Sequence, residues 1–242
     1  MAILLLSDIH GNLAALQAVL RDADVLDDIH SCILLGDVID YGMHSNEVIG
    51  LLKALPYPVI CNIWGNHERA VCLDEYGRFS SERGRASAMH TKEHLSEDSW
   101  KYINDSMEHE GFFEFVCHGK KCLAVHGSYE DRFWKSIDIA GELHPYQAFD
   151  YVFSGHSHLP HFYEKFYAAD DPDRRNRKKT VFVNPGSVGQ PRNHNPMAQY
   201  AVIDLSSETI LMKKVWYDIR KEQTAFTEQV DAFYKNRLEL GI

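Results

Sequence analysis

The chain has 242 residues, with 25 Lys and Arg against 35 Asp and Glu, for a formal net charge of -10. Its 25% charged and 45% hydrophobic residues exclude a disordered or fibrous chain, and the length suits one large domain or a domain with an insertion. No basic surplus is available to neutralise phosphates, which argues against broad nucleic-acid binding.

Residues 2–6 form an apolar run ending in Ser7-Asp8, the pattern of a fully buried strand. The run is too short for the apolar core of a signal peptide or for a membrane span of ~20 residues. The 5 Cys are odd in number and contain no CxxC pair, which speaks against a disulfide framework or zinc ribbon and for thiols in a reducing cytoplasm. Asn12 reads as the cap of a helix in which Leu13, Leu16, Val19 and Leu20 recur at helical spacing. A second buried strand over 32–35 ends at Gly36-Asp37, and a helix over 46–55 is stopped by Pro56. A third strand over 59–64 ends at Gly65-Asn66-His67. Strands alternating with helices predict an α/β sheet with βαβ crossovers.

The stretch near 69–110 is polar and helix-compatible, and reads as a small helical cap inserted over the strand ends of a single domain spanning 1–242. Segments 112–117 and 122–126 predict a hairpin, and 151–154 a short strand ending in Gly155-His156-Ser157-His158. Strands over 162–167 and 180–183 flank a charged, solvent-facing loop at 170–179. A second hairpin is expected from 200–205 and 209–217. The tail over 221–240 predicts one amphipathic helix with Phe226, Val230, Phe233 and Leu238 on one side.

Histidine is the commonest metal ligand and the chain has 14, so their placement matters more than their number. Asp8-Ile9-His10, Asp37 with Asp40, Asn66-His67, His126-Gly127 and His156-Ser157-His158 all follow predicted strands. Loops after strand C-termini gather along one edge of an α/β sheet, where sites are built. Carboxylate and amide oxygens with imidazole nitrogens suit manganese or iron, with nickel, zinc or cobalt as alternatives, better than a thiolate site would. The donors suffice for two ions if one carboxylate bridges, an arrangement that clamps a phosphoryl group.

The ordered set DxH, GDxxD, GNH, VHG and GHxH resembles the calcineurin-like metallophosphoesterase superfamily. The run Val183-Asn184-Pro185-Gly186-Ser187-Val188-Gly189-Gln190-Pro191-Arg192 is similar to its small bacterial and archaeal phosphodiesterase branch. The resemblance implies a four-layer αββα sandwich of two mixed sheets flanked by helices. It implies two divalent transition-metal ions, one held by Asp8, His10, Asp37 and His158, the second by Asp37, Asn66, His126 and His156. It further implies a metal-bridging hydroxide as nucleophile, His67 as the proton donor toward substrate, and Asp40 as the carboxylate orienting His67. The pair His156 and His158 is expected to reach adjacent ions as alternate residues of an extended segment. Where phosphatase branches carry Arg after GDxxD, this chain has Tyr41, which weakens a monoester or protein-phosphatase reading because Arg is the natural bidentate phosphate clamp.

The expected activity is therefore hydrolysis of a phosphodiester or a nucleotide polyphosphate, including asymmetric cleavage of diadenosine tetraphosphate. Asn66 and Arg192 are the candidate substrate contacts, and a small phosphoester or nucleotide the candidate partner. The alternatives are a phosphomonoesterase and a non-catalytic protein-binding scaffold of the same fold. Self-association into a homo-oligomer stays open. His30, His44, His90, His94, His109, His118, His144 and His161 read as surface or locally bonded residues. Trp64, Trp100, Trp134 and Trp216 read as core, with Trp134 placed to line the mouth of the site.

Overall fold

The apolar run at the N-terminus forms β1 (Ala2–Leu6), with every residue buried. In this computed structural model, which describes residues 2–26, 28–168, 172–173, 175 and 177–242, β1 is the middle strand of a five-stranded sheet. It pairs in parallel with β2 (Ile29–Leu34), and β2 pairs in parallel with β3 (Val59–Asn62). Helices α1 (Leu13–Asp24) and α2 (Ser45–Lys53) make the two crossovers. Because these strands run parallel, the loops carrying Asp8, Asp37 and Asn66 emerge on one edge.

A second five-stranded sheet has the order β4-β5-β6-β8-β7. Its strands are β4 (Phe112–Cys117), β5 (Lys120–Val125), β6 (Tyr151–Ser154), β7 (His161–Phe166) and β8 (Lys179–Asn184). The strands β5, β6 and β8 are parallel, with antiparallel β4 and β7 at the edges. The first sheet is completed by β9 (Ala198–Asp204), antiparallel to β1, and β10 (Thr209–Val215). Both sheets are thus mixed, and helices flank them in an α/β architecture.

Ile3, Leu5, Ile33 and Leu35 face Tyr151, Phe153, Val181 and Val183 across the sheet interface. Leu4, Leu6 and Leu34 turn the other way, against Leu16, Val19, Val48 and Ile49 of the helices. A central strand with apolar side chains on both faces therefore stitches the layers together. On the far side, Leu143, Tyr146 and Phe149 around a short 3-10 turn cover Leu123, Val152 and Phe182.

Between β3 and β4 lie α3 (Asn66–Leu73), a 3-10 turn (Tyr76–Arg78), α4 (Glu82–His94) and α5 (Glu97–Asp105). The third strand stops at Asn62, two residues before the expected end, because Trp64 donates its N–H to Glu108 O at 2.9 Å and leaves the sheet. Of the charged loop expected over 170–179, Asp170, Asp171, Arg174 and Asn176 lie outside the described residues. Trp64 is core, but Trp216 is 64% exposed, against expectation. It follows the last residue of β10, past the end of the ladder that would have covered it.

The tail is two helices, α6 (Ile219–Gln223) and α7 (Ala232–Leu240), not one. Local side-chain bonds compete with helix in between: Thr224 Oγ1 donates to Lys221 O at 2.7 Å, and Asp231 caps α7 by accepting from Phe233 N–H at 2.8 Å. The buried Glu222 of α6 accepts from Ala14 N–H at 3.0 Å and bonds His44 Nδ1 at 2.9 Å, tying the tail to the start of α1. Glu222→Ala should cost about 1–3 kcal/mol, the usual penalty for a buried donor left unpaired. Urea unfolding that shows no change in midpoint would contradict this role for the tail.

Candidate metal centre

The strand-end loops are held in a backbone conformation that most residues avoid. Asp8, His10, Asp37, Asp40, Tyr41, His156 and His158 all have left-handed φ, between 48° and 72°. Each such residue costs roughly 1–3 kcal/mol unless its surroundings compensate, and such residues cluster at functional sites. Asp and His tolerate the region better than apolar residues, which fits their use here. His156 and His158 therefore reach the two neighbouring donor groups from left-handed positions on either side of Ser157, not through the alternation of an extended segment.

Packing around these loops is close. A Cβ at Gly65 would sit 2.1 Å from Asp37 Oδ1, and one at Gly189 would sit 1.8 Å from Ile9 O. Glycine is required where these loops cross. Ser187 Oγ donates to Asp8 O at 2.6 Å, so the 183–192 run buttresses the first strand end.

Both carboxylates divide their oxygens the same way. Asp8 Oδ2 accepts from Ser7 Oγ at 2.5 Å and from His156 N–H at 3.1 Å, while its buried Oδ1 has no hydrogen-bond donor. Asp37 Oδ1 accepts from His67 N–H at 2.9 Å, and its Oδ2 lies 3.3 Å from His126 Nε2 and 3.6 Å from His10 Nε2. The histidines are oriented from behind. His158 Nδ1 donates to Gln190 O at 2.6 Å, His126 Nδ1 to Leu35 O at 2.7 Å, and His10 Nδ1 lies 3.3 Å from Ile39 O. In a neutral ring, as His10 and His158 are held, committing Nδ1–H to a carbonyl leaves Nε2 as a bare lone pair. His158 Nε2 then stands 3.2 Å from Asp8 Oδ1 and 3.2 Å from His10 Nε2, acceptor against acceptor. Asn66 Oδ1, another acceptor, lies 3.0 Å from His126 Nε2 and 2.9 Å from His156 Nδ1.

A buried cavity lined by lone pairs is unfavourable unless a cation occupies it. The donors fall into two groups, Asp8, His10, Asp37 and His158, and Asp37, His126 and His156, each with its atoms within 4.8 Å of one another. Asp37 belongs to both, so the residues present fit two ions with one shared carboxylate. Burial, with neighbouring positive groups, lowers the pKa of His10 and His158 and takes His156 down to about 4, leaving neutral imidazoles that can coordinate. Burial also acts to lower His126, but the Asp37 and Asp8 carboxylates push it up to about 9. That proton marks how much positive charge the pocket draws in.

His67 stands beside this cavity. Its Nδ1 donates to Asp40 Oδ2 at 2.6 Å, and its Nε2 is 4.0 Å from Asp37 Oδ2. Burial would lower its pKa, yet the Asp37 and Asp40 carboxylates hold it above the usual value. Asp40 is itself fixed: Oδ1 accepts from Ser87 Oγ at 2.6 Å, Thr91 Oγ1 at 3.0 Å and Tyr41 N–H at 2.7 Å. Ser87 and Thr91 lie one turn apart on α4, so the helical segment between the sheets grips the imidazole's partner.

All the residues singled out in the sequence converge here. Asp8, His10, Asp37, Asn66, His126, His156 and His158 surround the cavity, His67 and Asp40 adjoin it, and Arg192 lines the same cleft of about 460 Å3. Trp134 lines its mouth, as expected. Sequence reading missed Ser87 and Thr91, which sit in a polar helical stretch without a motif. It also missed the work of Glu68, although an acid three residues after the Gly65 cap is half of a capping box. Glu68 accepts from Gly65 N–H at 2.8 Å, Asp37 N–H at 2.8 Å, Val38 N–H at 2.8 Å and Ile39 N–H at 3.2 Å.

The calcineurin-like phosphoesterase superfamily domain matches residues 1–208. The chain belongs to this superfamily, and is a metal-dependent phosphoric ester hydrolase of a family that works with a dinuclear metal centre. It is 31% identical over 232 residues to an uncharacterized protein of Methanocaldococcus jannaschii, covering 90% of this chain and 89% of that one. A metallophosphoesterase from Sphaerobacter thermophilus has 28% identity and a TM-score of 0.78, with 100% of both chains covered. A hypothetical protein from Pyrococcus horikoshii OT3, 18% identical, shares the fold with a TM-score of 0.86 over 100% of this chain and 98% of that one. Among the described residues no helix is long and apolar enough to cross a membrane.

Glu68→Gln should destabilise the fold by about 3 kcal/mol, because an amide NH2 would replace an acceptor for backbone donors and the charge would be lost. The same variant should bind metal more weakly, since Asp37 sits in the pinned loop. Thermal unfolding together with elemental analysis checks both, and wild-type values in either would remove Glu68 from this role.

Proposed function

We propose that the chain hydrolyses phosphodiesters or nucleotide polyphosphates at this centre, with Mn2+ or Fe as the resident ions and Ni2+, Zn2+ or Co2+ able to replace them. The observation that carries the reading is the convergence of the His10, His156 and His158 imidazoles, whose pKa values burial lowers, and the undonated Asp8 Oδ1 around the shared Asp37, beside His67, whose pKa the neighbouring carboxylates hold above the usual value. In this reading Asp8, His10, Asp37 and His158 hold one ion, and Asp37, Asn66, His126 and His156 the other. The bound ions supply positive charge to the phosphoryl oxygens and lower the pKa of attacking water.

The chain's own residues do the rest. His67 presents Nε2–H to the leaving oxygen and gives up that proton as the bond to phosphorus breaks. Asp40 keeps the ring in register by holding Nδ1–H. Arg192 and Asn66, which line the same cleft, contact the phosphoryl group. Residues 1–242 act as a single domain in which the helical segment near 69–110 caps the site.

Preference for a diester follows from Tyr41. Its ring is packed between His10, at 4.6 Å, and Tyr234, at 4.2 Å, and no guanidinium occupies this position. A dianionic monoester loses its natural clamp there, while a diester carries less charge and relies on contacts to both substituents.

Protein purified without chelator should contain about two transition-metal ions per chain and lose activity in EDTA. Metal-free protein with EDTA-resistant hydrolysis would end the dinuclear reading. With Mn2+, kcat/KM should be higher for bis-p-nitrophenyl phosphate than for p-nitrophenyl phosphate, and the reverse order would revive the monoesterase.

His67→Ala should keep its metal and lower kcat by roughly 10²–10⁴ on a diester with an alkoxide leaving group. Ser87→Ala with Thr91→Val should lower it roughly tenfold on that substrate and hardly at all with p-nitrophenolate, which leaves without a proton. Equal losses on both leaving groups would mean that α4 acts on folding rather than on His67.

A further inference from the structure

Two hollows meet at Arg78 and Trp134. The inner cleft extends from Asp37, Asn66 and His67 out to Arg78, Phe79 and Trp134. The outer hollow, about 800 Å3, begins at the same Arg78 and Trp134 and continues past Tyr129 and Arg132. A row of rings leads from one to the other: His67 to Phe79 at 5.0 Å, then Phe79 edge-on to Trp134 at 5.3 Å. The Arg78 guanidinium stands 5.4 Å from the Trp134 ring centroid.

One carboxylate makes this corner rigid. Asp131 Oδ1 accepts from Phe133 N–H at 3.2 Å and Trp134 N–H at 3.0 Å, while Oδ2 accepts from Arg78 Nη2 at 3.2 Å. A guanidinium has five N–H donors, so this single bond leaves most of Arg78 available. Farther out the cations are engaged: Arg69 with Glu75 at 2.8 Å, Arg132 with Glu110 at 3.0 Å. The outer hollow thus offers aromatic surface among paired charges. That suits a planar polar ring, and suits neither a lipid chain nor a further run of phosphates.

Direction follows from His67. If it protonates the leaving oxygen, the leaving group lies on its side of the cleft and runs along Phe79 toward Trp134. We propose that Arg78 and Trp134 form a subsite for a nucleoside phosphate leaving group, with a phosphate on Arg78 and the base stacked on Trp134. The inference rests on the phosphodiesterase reading above. It assigns specificity to the segment between α3 and α4 and to the loop after β5, and gives neither residue a part in bond breaking.

Calorimetric titration of the Mn2+-loaded protein with ADP and with inorganic pyrophosphate isolates the base. The wild type should bind ADP more tightly than pyrophosphate. Trp134→Ala should lose roughly 10- to 100-fold on ADP and little on pyrophosphate, as base stacking predicts, and Trp134→Phe should recover most of it. Arg78→Gln, at an exposed side chain, should lower kcat/KM on diadenosine tetraphosphate about tenfold while leaving bis-p-nitrophenyl phosphate unchanged. Equal binding of ADP and pyrophosphate by the wild type, or equal losses on both substrates, would overturn the subsite while leaving diesterase activity standing. A wild type inactive on every diester and polyphosphate would instead bring down the reading beneath it.

Discussion

The Glu68 carboxylate gathers backbone donors from two separate loops, Gly65 N–H after β3 and Asp37, Val38 and Ile39 N–H after β2. Burial and the nearby Asp37 charge both raise its pKa, and these N–H bonds pull the other way. Four oriented dipoles are what make a buried charge tolerable at this position. The site depends on that bargain. Asp37 can serve two ions only if its loop is immobile, and His67 can face the cleft only if α3 starts where Gly65 is held. Because Glu68 is itself in α3, the helix that carries Asn66 and His67 also anchors the loop that carries Asp37.

Strain is the other side of the same constraint. Seven left-handed residues at the loops would together cost several kcal/mol if unsupported. The support is visible around them: the Ser187 hydroxyl on Asp8 O, the Gln190 carbonyl behind His158, the Leu35 carbonyl behind His126. Ser187 and Gln190 lie in the run before β9, while the third bond joins His126, after β5 of the second sheet, to Leu35, after β2 of the first. The two sheets are therefore joined by polar bonds at the site as well as by the apolar layer between them, and neither sheet alone would hold the centre.

Much of this was legible in the sequence because the signals are local. Apolar runs ending in Asp, Asn or His mark buried strands feeding polar loops, and βαβ order predicts that those loops gather on one edge. What stayed hidden depends on contacts between distant segments. Nothing near Ser87 or Thr91 shows that they bond a carboxylate from another loop, and α4 is polar enough to pass for a solvated helix. The tail looked like one amphipathic helix because its spacing is helical. Glu222, drawn inward to the N–H of Ala14, helps end α6 early, and no periodicity within the tail encodes that pull.

The division of labour in the molecule follows from where each part originates. The side chains that could hold metal stand at strand ends inside the matched domain at 1–208, so the sheets set out the candidate centre. The environment of that chemistry comes from elsewhere. Tyr41 lines the inner cleft, and its ring is held by Tyr234 and Val230 of the tail, beyond residue 208. Burial, with the neighbouring Tyr234 and Asp40, keeps the Tyr41 hydroxyl protonated. An arginine there would have to place a charge in the space that Tyr41 and Tyr234 now share, beside Arg237, whose pKa burial has already lowered to about 10. The tail thus fills with aromatic rings the space beside the inner cleft, which Arg78 and Arg192 also line.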